Sequence, residues 1–357
     1  DVPTANADTG SVVLGTGGQW TASGDVILGD SNGGVADKAG ADGGLSVTGV
    51  VKGAITGAEP TAPIGTGLTV TGDYGTLKLN SDGTYTYERD LSKPLPSGNA
   101  DAAADAPAKD IFTYQIKDSD GDYRTTTLTI SVTDQGVEIK DFKPAIGNGN
   151  VTVYEAGLTD GSAPAATASP TQAAGSFTVS APDLVASLTI TVGTVAVGTI
   201  PAAGVTSPLQ PFTTPLGNSL VIDSYDPATG VVKYHYVLND NETHADGLNN
   251  NLLSETFTVT LVDRDGDTVS GNFIVDIVDD VPTANADIGS VVQDDDGQWT
   301  ASGNVILGDS NGGVADKAGA DGGLSVTGVV KGTLTGDEPT DPISTGLIVE
   351  GDYGTLT

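Results

Sequence analysis

FTYQIKDSDGDYRTTTLTISV at residues 112–132 returns in altered form as FTVTLVDRDGDTVSGNFIVDI at residues 257–277. In both stretches apolar and polar residues alternate on either side of an acidic turn, DSDGD or DRDGD. A period of two predicts strands with one buried face, and a turn rich in Asp and Gly between them predicts an antiparallel hairpin. We therefore expect each stretch to form the last two strands of a β-structured module.

Upstream of each stretch lies a second predicted hairpin, with the turns NSDG at residues 80–83 and DPATG at residues 226–230. No part of the chain shows a sustained helical period. Several short strands separated by turns favour a two-sheet, immunoglobulin-like β-sandwich over a barrel. Trp20 is expected in the core of the first such module.

A longer repeat sets the module boundaries, because residues 280–357 copy residues 1–78 almost letter for letter. Repetition on this scale indicates serial building blocks. The predicted modules are residues 1–134, residues 135–279 of a second type, and residues 280–357 as a truncated repeat of the first. The last copy stops before the equivalents of the strands after residue 78. We therefore expect it to expose its apolar inner face and unpaired sheet edges.

The composition excludes several classes of partner. Fourteen basic and 47 acidic residues give a formal charge of −33, which disfavours nucleic acid and anionic membranes. The chain contains no Cys, so disulfides and thiolate metal sites are excluded. It also has no Met and no long apolar run, so we expect an internal segment of a larger protein that is not inserted in a membrane.

Each acidic turn places three carboxylates in one tight loop. Such carboxylates repel one another unless a cation is present, and oxygen ligands at alternate positions suit the six- to eight-fold shell of Ca²⁺. An ordinary polar hairpin turn is the alternative. An EF-hand is excluded, because Thr129 and Ile274 stand where its bidentate glutamate belongs. The candidate ligands are Asp118, Asp120 and Asp122 in one loop and Asp263, Asp265 and Asp267 in the other.

Further ligands are expected at the joints between modules. In an immunoglobulin-like sandwich the final hairpin turn lies at the pole where the chain enters, and the last strand ends at the opposite pole. The first loop should therefore meet Asp1 and Asp8, and the second should meet Asp134, Glu138 and Asp141. The remaining candidates, at the far pole or at the following joint, are Asp110, Glu255, Asp279 and Asp280.

Other features are weaker signals. The Gly- and Asp-rich segment 29–44 can be a flexible loop or an ion-binding one, and residues 97–109 and 159–175 resemble long exposed insertions. His235 is expected to point outward from a strand, and His244 to lie in a loop. Since neither is accompanied by a recognisable triad, we expect no enzymatic activity.

Several runs resemble a known family. NVTVYEAGLTDGSAP at 150–164 and ETFTVTLVDRDGD from residue 255 resemble repeats of very large type I secreted RTX adhesins of Gram-negative bacteria. The other module, with GDYGTLKLNSDGTYTYE at 72–88, is similar to the cadherin-like and VCBS-type repeats of the same proteins. The resemblance implies extracellular, calcium-binding extender modules that project a distal adhesive domain in surface attachment or biofilm formation.

The predicted fold class is all-β, with tandem immunoglobulin-like or cadherin-like β-sandwich modules in an end-to-end array. The predicted function is a calcium-stiffened spacer in which Ca²⁺ and neighbouring repeats are the partners, with self-association as a further possibility. A glycan- or self-binding module of a surface protein is the alternative, and the acid excess is also compatible with adaptation to salt. The predicted calcium dissociation constants are about 10⁻⁴ to 10⁻³ M.

Overall fold

In a computed structural model, the regular secondary structure of the described residues is almost entirely β-strand. The structure describes residues 1–15, 19–29, 34–41, 43–55, 60, 63–96, 107–143, 151–245, 251–308, 313–333, 343 and 347–357. A single turn of 3₁₀ helix, Glu155–Gly157, interrupts the strands. The part of the chain so described contains no helix with the length and hydrophobicity of a transmembrane span. The all-β fold class and the tandem sandwiches are confirmed.

Two sheets enclose the first hydrophobic core. In spatial order, one sheet contains β1 (Asp8–Ser11), β9 (Tyr123–Val132), β8 (Ala108–Lys117) and β4 (Ser46–Lys52). The other contains β2 (Val13–Leu14), β3 (Trp20–Asp25), β7 (Thr84–Arg89), β6 (Gly75–Leu79) and β5 (Leu68–Thr71).

The alternation predicted from sequence determines which residues form that core. Phe112, Tyr114 and Ile116 on β8 are fully buried, and Leu77 and Leu79 on β6 are buried with them in the same cluster. Every second residue of a strand faces the same side, so one sheet face is apolar and the two sheets bury their apolar faces together. Trp20, expected in the core, is half-buried against it.

A second pair of sheets encloses a separate core. One contains β10 (Glu138–Lys143), β12 (Gln172–Ser180), β17 (Val231–Val237), β16 (Ser219–Asp226) and β15 (Phe212–Thr213). The other contains β11 (Val151–Tyr154), β19 (Thr268–Val278), β18 (Leu252–Asp263), β13 (Val185–Val192) and β14 (Val195–Thr199). Stacked rings of Phe257 and Phe273, with centroids 4.8 Å apart, lie at its centre.

In each sandwich the last strand pairs in parallel with an early one, which is the first strand of the first sandwich and the second strand, after β10, of the second. Strand β1 runs beside β9 from Asp8, opposite Leu128, and β11 runs beside β19 from Val151, opposite Val275. The last strand begins at the acidic turn, so a parallel partner enters from the pole where that turn lies. The acidic turns are thereby placed at the entry poles, as the sequence predicts.

Residues 280–357 contain the two-stranded sheets β20 (Val292–Gln293) with β21 (Trp299–Thr300), and β22 (Val349–Glu350) with β23 (Thr355–Leu356). Their apolar residues are exposed: Val305 is 53% exposed, whereas its equivalent Val26 is 0% exposed. Among the insertions, residues 159–171 form turns and bends at or near the surface. Residues 97–106, and residues 30–33 and 42 of the 29–44 segment, lie outside the described residues.

Candidate metal centre

Both acidic turns have the same backbone frame. In the second, Asp263 Oδ1 accepts hydrogen bonds from the amides of Gly266 at 3.1 Å and Asp267 at 2.8 Å. Asp118 Oδ1 accepts the equivalent bonds in the first turn at the same two distances. Gly266 has a φ of 106°, a conformation that residues with a Cβ rarely adopt. The DxDGD pattern therefore folds each turn so that its carboxylates converge.

The second turn is buried and reaches beyond itself. Asp263, Asp265 and Asp267 are 1%, 8% and 4% exposed, and each offers a carboxylate oxygen within 4.8 Å of the others. A second group with the same spacing contains Asp134, Asp183 and Asp265. Asp265 belongs to both groups, so it links all five acids into one cluster, which we call the joint cluster.

The joint cluster is assembled from the two sandwiches. Asp134 follows β9 of the first, whereas Asp183 lies in the turn between β12 and β13 of the second. Arg89, at the end of β7, places Nη2 3.8 Å from Asp183 Oδ1, and its side chain is only 2% exposed. Arg264 Nη1 donates to the carbonyl oxygen of Leu91 at 3.4 Å. The first sandwich thus contributes one acid and one guanidinium to a site centred on the second.

Burial determines the protonation of the joint cluster. It raises the pKa of Asp183 to about 6, with Asp265 adding to the shift and Arg89 opposing it. It also raises the pKa of Asp265 to about 6, helped by the neighbouring Asp263, while backbone amides of the turn lower the pKa by less. A buried carboxylate beside other carboxylates is disfavoured in its charged form unless a cation compensates.

The residues of the joint cluster fit a calcium ion. Neither oxygen of Asp265 has a well-formed hydrogen bond, and the same holds for Asp263 Oδ2 and Asp183 Oδ2, although all four atoms are buried. Buried polar atoms in folded proteins are nearly always paired, so unpaired oxygens that converge indicate a ligand. Every donor is a carboxylate oxygen, which is the ligand type that Ca²⁺ prefers.

The first turn is more open. Asp118 is 5% exposed, but Asp120 is exposed and Asp122 half-buried, and within the described residues no acid outside the turn joins their group. The amino terminus of Asp1 lies close enough to Asp118 to act on it electrostatically, while the carboxylates of both expected neighbours accept hydrogen bonds from other residues. Asp1 accepts a hydrogen bond from the amide of Ala41, and the buried Asp8 accepts one from the Tyr114 hydroxyl at 2.6 Å.

Two acids expected at the joint point away from it. Glu138 is exposed on β10 and forms an ion pair with Lys140 at 2.6 Å, and Asp141 is exposed with a φ of 56°. Neither belongs to an acidic group among the described residues. The reason is that residues 138–143 form an outer strand of the second sandwich, and this strand directs these two side chains to solvent.

Asp110 and Glu255 serve their own sandwiches. Asp110 accepts hydrogen bonds from the Tyr87 hydroxyl at 2.6 Å and from the amides of Asp73 and Tyr74. Glu255 accepts one from the Tyr236 hydroxyl at 3.0 Å. Each acid thus accepts a hydrogen bond from a buried tyrosine of its own sandwich, although Glu255 Oε1 is buried without a partner.

The last two candidates lie beyond β19. Asp280 accepts hydrogen bonds from the amide and hydroxyl of Ser162 at 2.6 and 2.5 Å. Asp279 lies with Glu155 and His244 in a further group of possible ligands.

Sequence reasoning missed Asp183, Arg89, Glu155 and His244 as contributors to charged clusters. Glu155 lies in NVTVYEAGLTDGSAP, one of the runs that carry the family resemblance, so the acid in that run was the available signal; Asp183 ends the run SFTVSAPD at 176–183.

The comparisons with known proteins give no family for this chain, since no family model and no curated protein matches it. Among solved structures, human CDH23 EC21–23 is 13% identical over 85% of this chain and 80% of its own, with a TM-score of 0.24. Drosophila N-cadherin EC1–4 is 10% identical over 64% of this chain and 44% of its own, with a TM-score of 0.20.

Protocadherin gammaB7 EC3–6 is 14% identical, covering 78% of this chain and 52% of its own, with a TM-score of 0.23. The chain thus spans about half the length of this structure and of the N-cadherin one. At such identities and TM-scores the fold assignment rests on the sheets and cores of this chain itself.

Proposed function

We propose that this chain is a segment of extender modules from an extracellular adhesin, in which calcium binding at the joint cluster fixes one sandwich against the next. The modules would be residues 1–134 and 135–279, followed by a further copy of the first type at 280–357. An origin in a type I secreted RTX adhesin of a Gram-negative bacterium, with a role in attachment or biofilm formation, is part of the same proposal and is supported by the sequence runs that resemble that family.

The observation that carries the proposal is the position of Asp265. Its two unpaired, buried oxygens connect the acids of the turn with Asp134 of the preceding sandwich and with Asp183. When bound, Ca²⁺ supplies a divalent charge that offsets the repulsion among these carboxylates. Arg89 alone offsets only part of that repulsion, because one guanidinium faces five acids.

Apart from the acids, two polar contacts between described residues cross the joint. The Arg89–Asp183 pair and the hydrogen bond from Arg264 to Leu91 are both long, at 3.8 and 3.4 Å. Ionised carboxylates on both sides push the sandwiches apart when no cation is present. We therefore expect a mobile joint without calcium and a fixed one with calcium.

Calorimetric titration and thermal unfolding test the binding. We expect dissociation constants of about 10⁻⁴ to 10⁻³ M. At a free calcium concentration about 100 times the dissociation constant, the unfolding free energy should rise by about 2.7 kcal/mol. An identical melting temperature in chelator and in millimolar Ca²⁺ would refute the proposal.

Small-angle scattering tests the stiffening separately. The maximum dimension of the chain should be larger and more sharply defined in Ca²⁺ than in chelator, because a fixed joint holds the sandwiches in one relative orientation. If calorimetry detects binding but the scattering curves coincide, calcium stabilises the modules without stiffening the joint, and the extender mechanism is wrong.

A further inference from the structure

A second cluster of possible ligands lies at the opposite end of the second sandwich and contains a histidine. Glu155 follows β11, His244 lies in the loop after β17, and Asp279 follows β19 directly. Each of the three side chains offers one ligand atom, and these atoms lie within 4.8 Å of one another. Three separate strands therefore deliver one imidazole and two carboxylates to a single point.

The imidazole and one of the carboxylates are deeply buried and only partly satisfied. Glu155 is 0% exposed and the His244 side chain 4% exposed. Glu155 Oε1 accepts a hydrogen bond from the Glu242 amide at 2.6 Å and lies 3.1 Å from His244 Nε2. Glu155 Oε2 and His244 Nδ1, both buried, have no hydrogen-bond partner.

Leaving a buried polar atom unpaired destabilises the fold, because the atom has lost its hydration and gained no partner. Two such atoms on side chains that touch each other are therefore unusual unless a ligand completes them. Burial also raises the pKa of Glu155 above its usual value, although the Glu242 amide and His244 oppose the shift. An added cation would relieve the desolvation of this carboxylate, and it would have an imidazole nitrogen of His244 within reach.

The donor set differs in kind from that of the joint cluster. Ca²⁺ takes oxygen ligands, whereas imidazole nitrogen is a preferred ligand of zinc and of neighbouring first-row transition metals. Sites with three protein ligands and one water are common for zinc. We infer that Glu155, His244 and Asp279 bind a divalent transition-metal ion of the zinc class, with water completing the coordination shell.

Binding there would also act on the following segment. Asp280, next to Asp279, is held by Ser162, and Asn241 in the His244 loop donates to Asp321 at 2.7 Å. A metal that joins Glu155, His244 and Asp279 would fix the loop that makes this contact. The second joint would then be held by a different metal from the first.

Cobalt(II) is the probe, because its visible absorption reports on the ligand geometry around it. The full chain is titrated with Co²⁺ in the presence of millimolar Ca²⁺, and the bound Co²⁺ is then displaced with Zn²⁺. We expect one equivalent of Co²⁺ with the absorption of a nitrogen- and oxygen-ligated ion, and its loss on adding Zn²⁺. Absence of these absorption bands would overturn the inference. Their loss when the Ca²⁺ concentration is raised further would also overturn it, because Ca²⁺ would then occupy the same site.

The chain provides a matched control, since it contains only two histidines. His235 is partly exposed and pairs with Asp223 at 2.7 Å, and it belongs to none of the groups of possible metal ligands among the described residues. His244→Gln should lower zinc affinity at least about tenfold, whereas His235→Gln and Asp265→Asn should leave it unchanged. Equal losses in His244→Gln and His235→Gln would show surface binding only and refute the site.

If His244→Gln does not fold, nuclear magnetic resonance of the imidazole nitrogens in the unaltered chain tests the same site. In the unaltered chain, Zn²⁺ should shift one ring nitrogen of a single histidine to the range of a metal-bound nitrogen, while the other histidine keeps its spectrum. Unshifted nitrogens at saturating Zn²⁺ would overturn the inference. Calcium binding at the joint cluster is measured independently, so either result leaves that proposal to its own tests.

Discussion

The two acidic turns have the same spacing and the same internal hydrogen bonds, yet only one forms a buried cluster. Around Asp265 a second group of acids from both sandwiches is added, and the carboxylates are desolvated. Around Asp120 no acid is added within the described residues, and the side chain is exposed. The local motif therefore sets the shape of the turn, while the packing of one sandwich on another buries its carboxylates and adds further acids to them.

This difference indicates how turns with the same motif in a repeat array can differ in their affinity for calcium. A turn in solvent keeps its carboxylates hydrated and gains little from an ion, because exposed charges interact weakly in water. The same turn at a joint has lost its hydration and gains more. Calcium affinity should then depend on the contact between modules as much as on the turn sequence.

The largest expected effect is a difference in calcium-dependent stability between two variants, each with one substitution in one of the two acidic turns. Asp265→Asn should abolish most of the calcium-dependent gain in unfolding free energy, about 2.7 kcal/mol at 100 times the dissociation constant. Asp120→Asn should retain most of it, because the joint cluster is intact. Thermal unfolding in chelator and in Ca²⁺ measures both gains, and equal losses would show that packing at the joint does not matter.

The next effect concerns pH in the absence of calcium. Asp265 has a pKa of about 6 when folded, against 3.8 for the free side chain. Between these values the folded state holds the extra proton, so the unfolding free energy falls as pH rises from about 4 to 6. One carboxyl of this kind contributes about 1 to 3 kcal/mol to that fall.

Asp265→Asn should remove this contribution. Without calcium, the variant should be more stable than the unaltered chain at pH 7 and similar to it at pH 4, whereas in Ca²⁺ the order at pH 7 should reverse. Asp120→Asn is the control and should follow the unaltered chain. Denaturant unfolding at several pH values decides, and parallel curves for all three proteins would contradict the burial argument.

The smallest effect tests whether turn sequence contributes. Arg264→Ser converts the second turn to DSDGD, the sequence of the first, and removes the long hydrogen bond to Leu91. We expect a change in unfolding free energy within about 0.5 kcal/mol and an unchanged calcium affinity. A fall in affinity to that of the isolated first turn, measured by calorimetry, would assign the difference between the turns to residue 264 instead of packing.

The sequence predicted the fold well because its signals are local. The alternation of Phe112, Tyr114 and Ile116, like the turn at 80–83, depends on residues close in the chain, and the structure places them as expected. The position of the acidic turns could also be predicted from the sequence, since an immunoglobulin-like order of strands fixes which loops share a pole of the sandwich.

The residues of the joint cluster could not all be predicted from the sequence, because the cluster depends on contacts between residues that are distant in the chain. Glu138 and Asp141 are near Asp134 in the chain, but strand β10 directs them to solvent. Asp183 and Arg89 lie 94 residues apart and meet only when the two sandwiches pack. Proximity in sequence was the wrong guide at this point.

The parallel pairing of β1 with β9, the first and last strands of the first sandwich, gives that module a mechanical property. Tension along the chain pulls β1 towards its amino end and β9 towards its carboxyl end, so the two strands are drawn past each other along their length. This is a shear geometry, in which the force is shared by all the hydrogen bonds between the two strands and they must break together. Strands β11 and β19 repeat the parallel pairing, but β10 precedes β11 in the chain and pairs antiparallel with β12, so in the second sandwich a pulling force reaches β10 first.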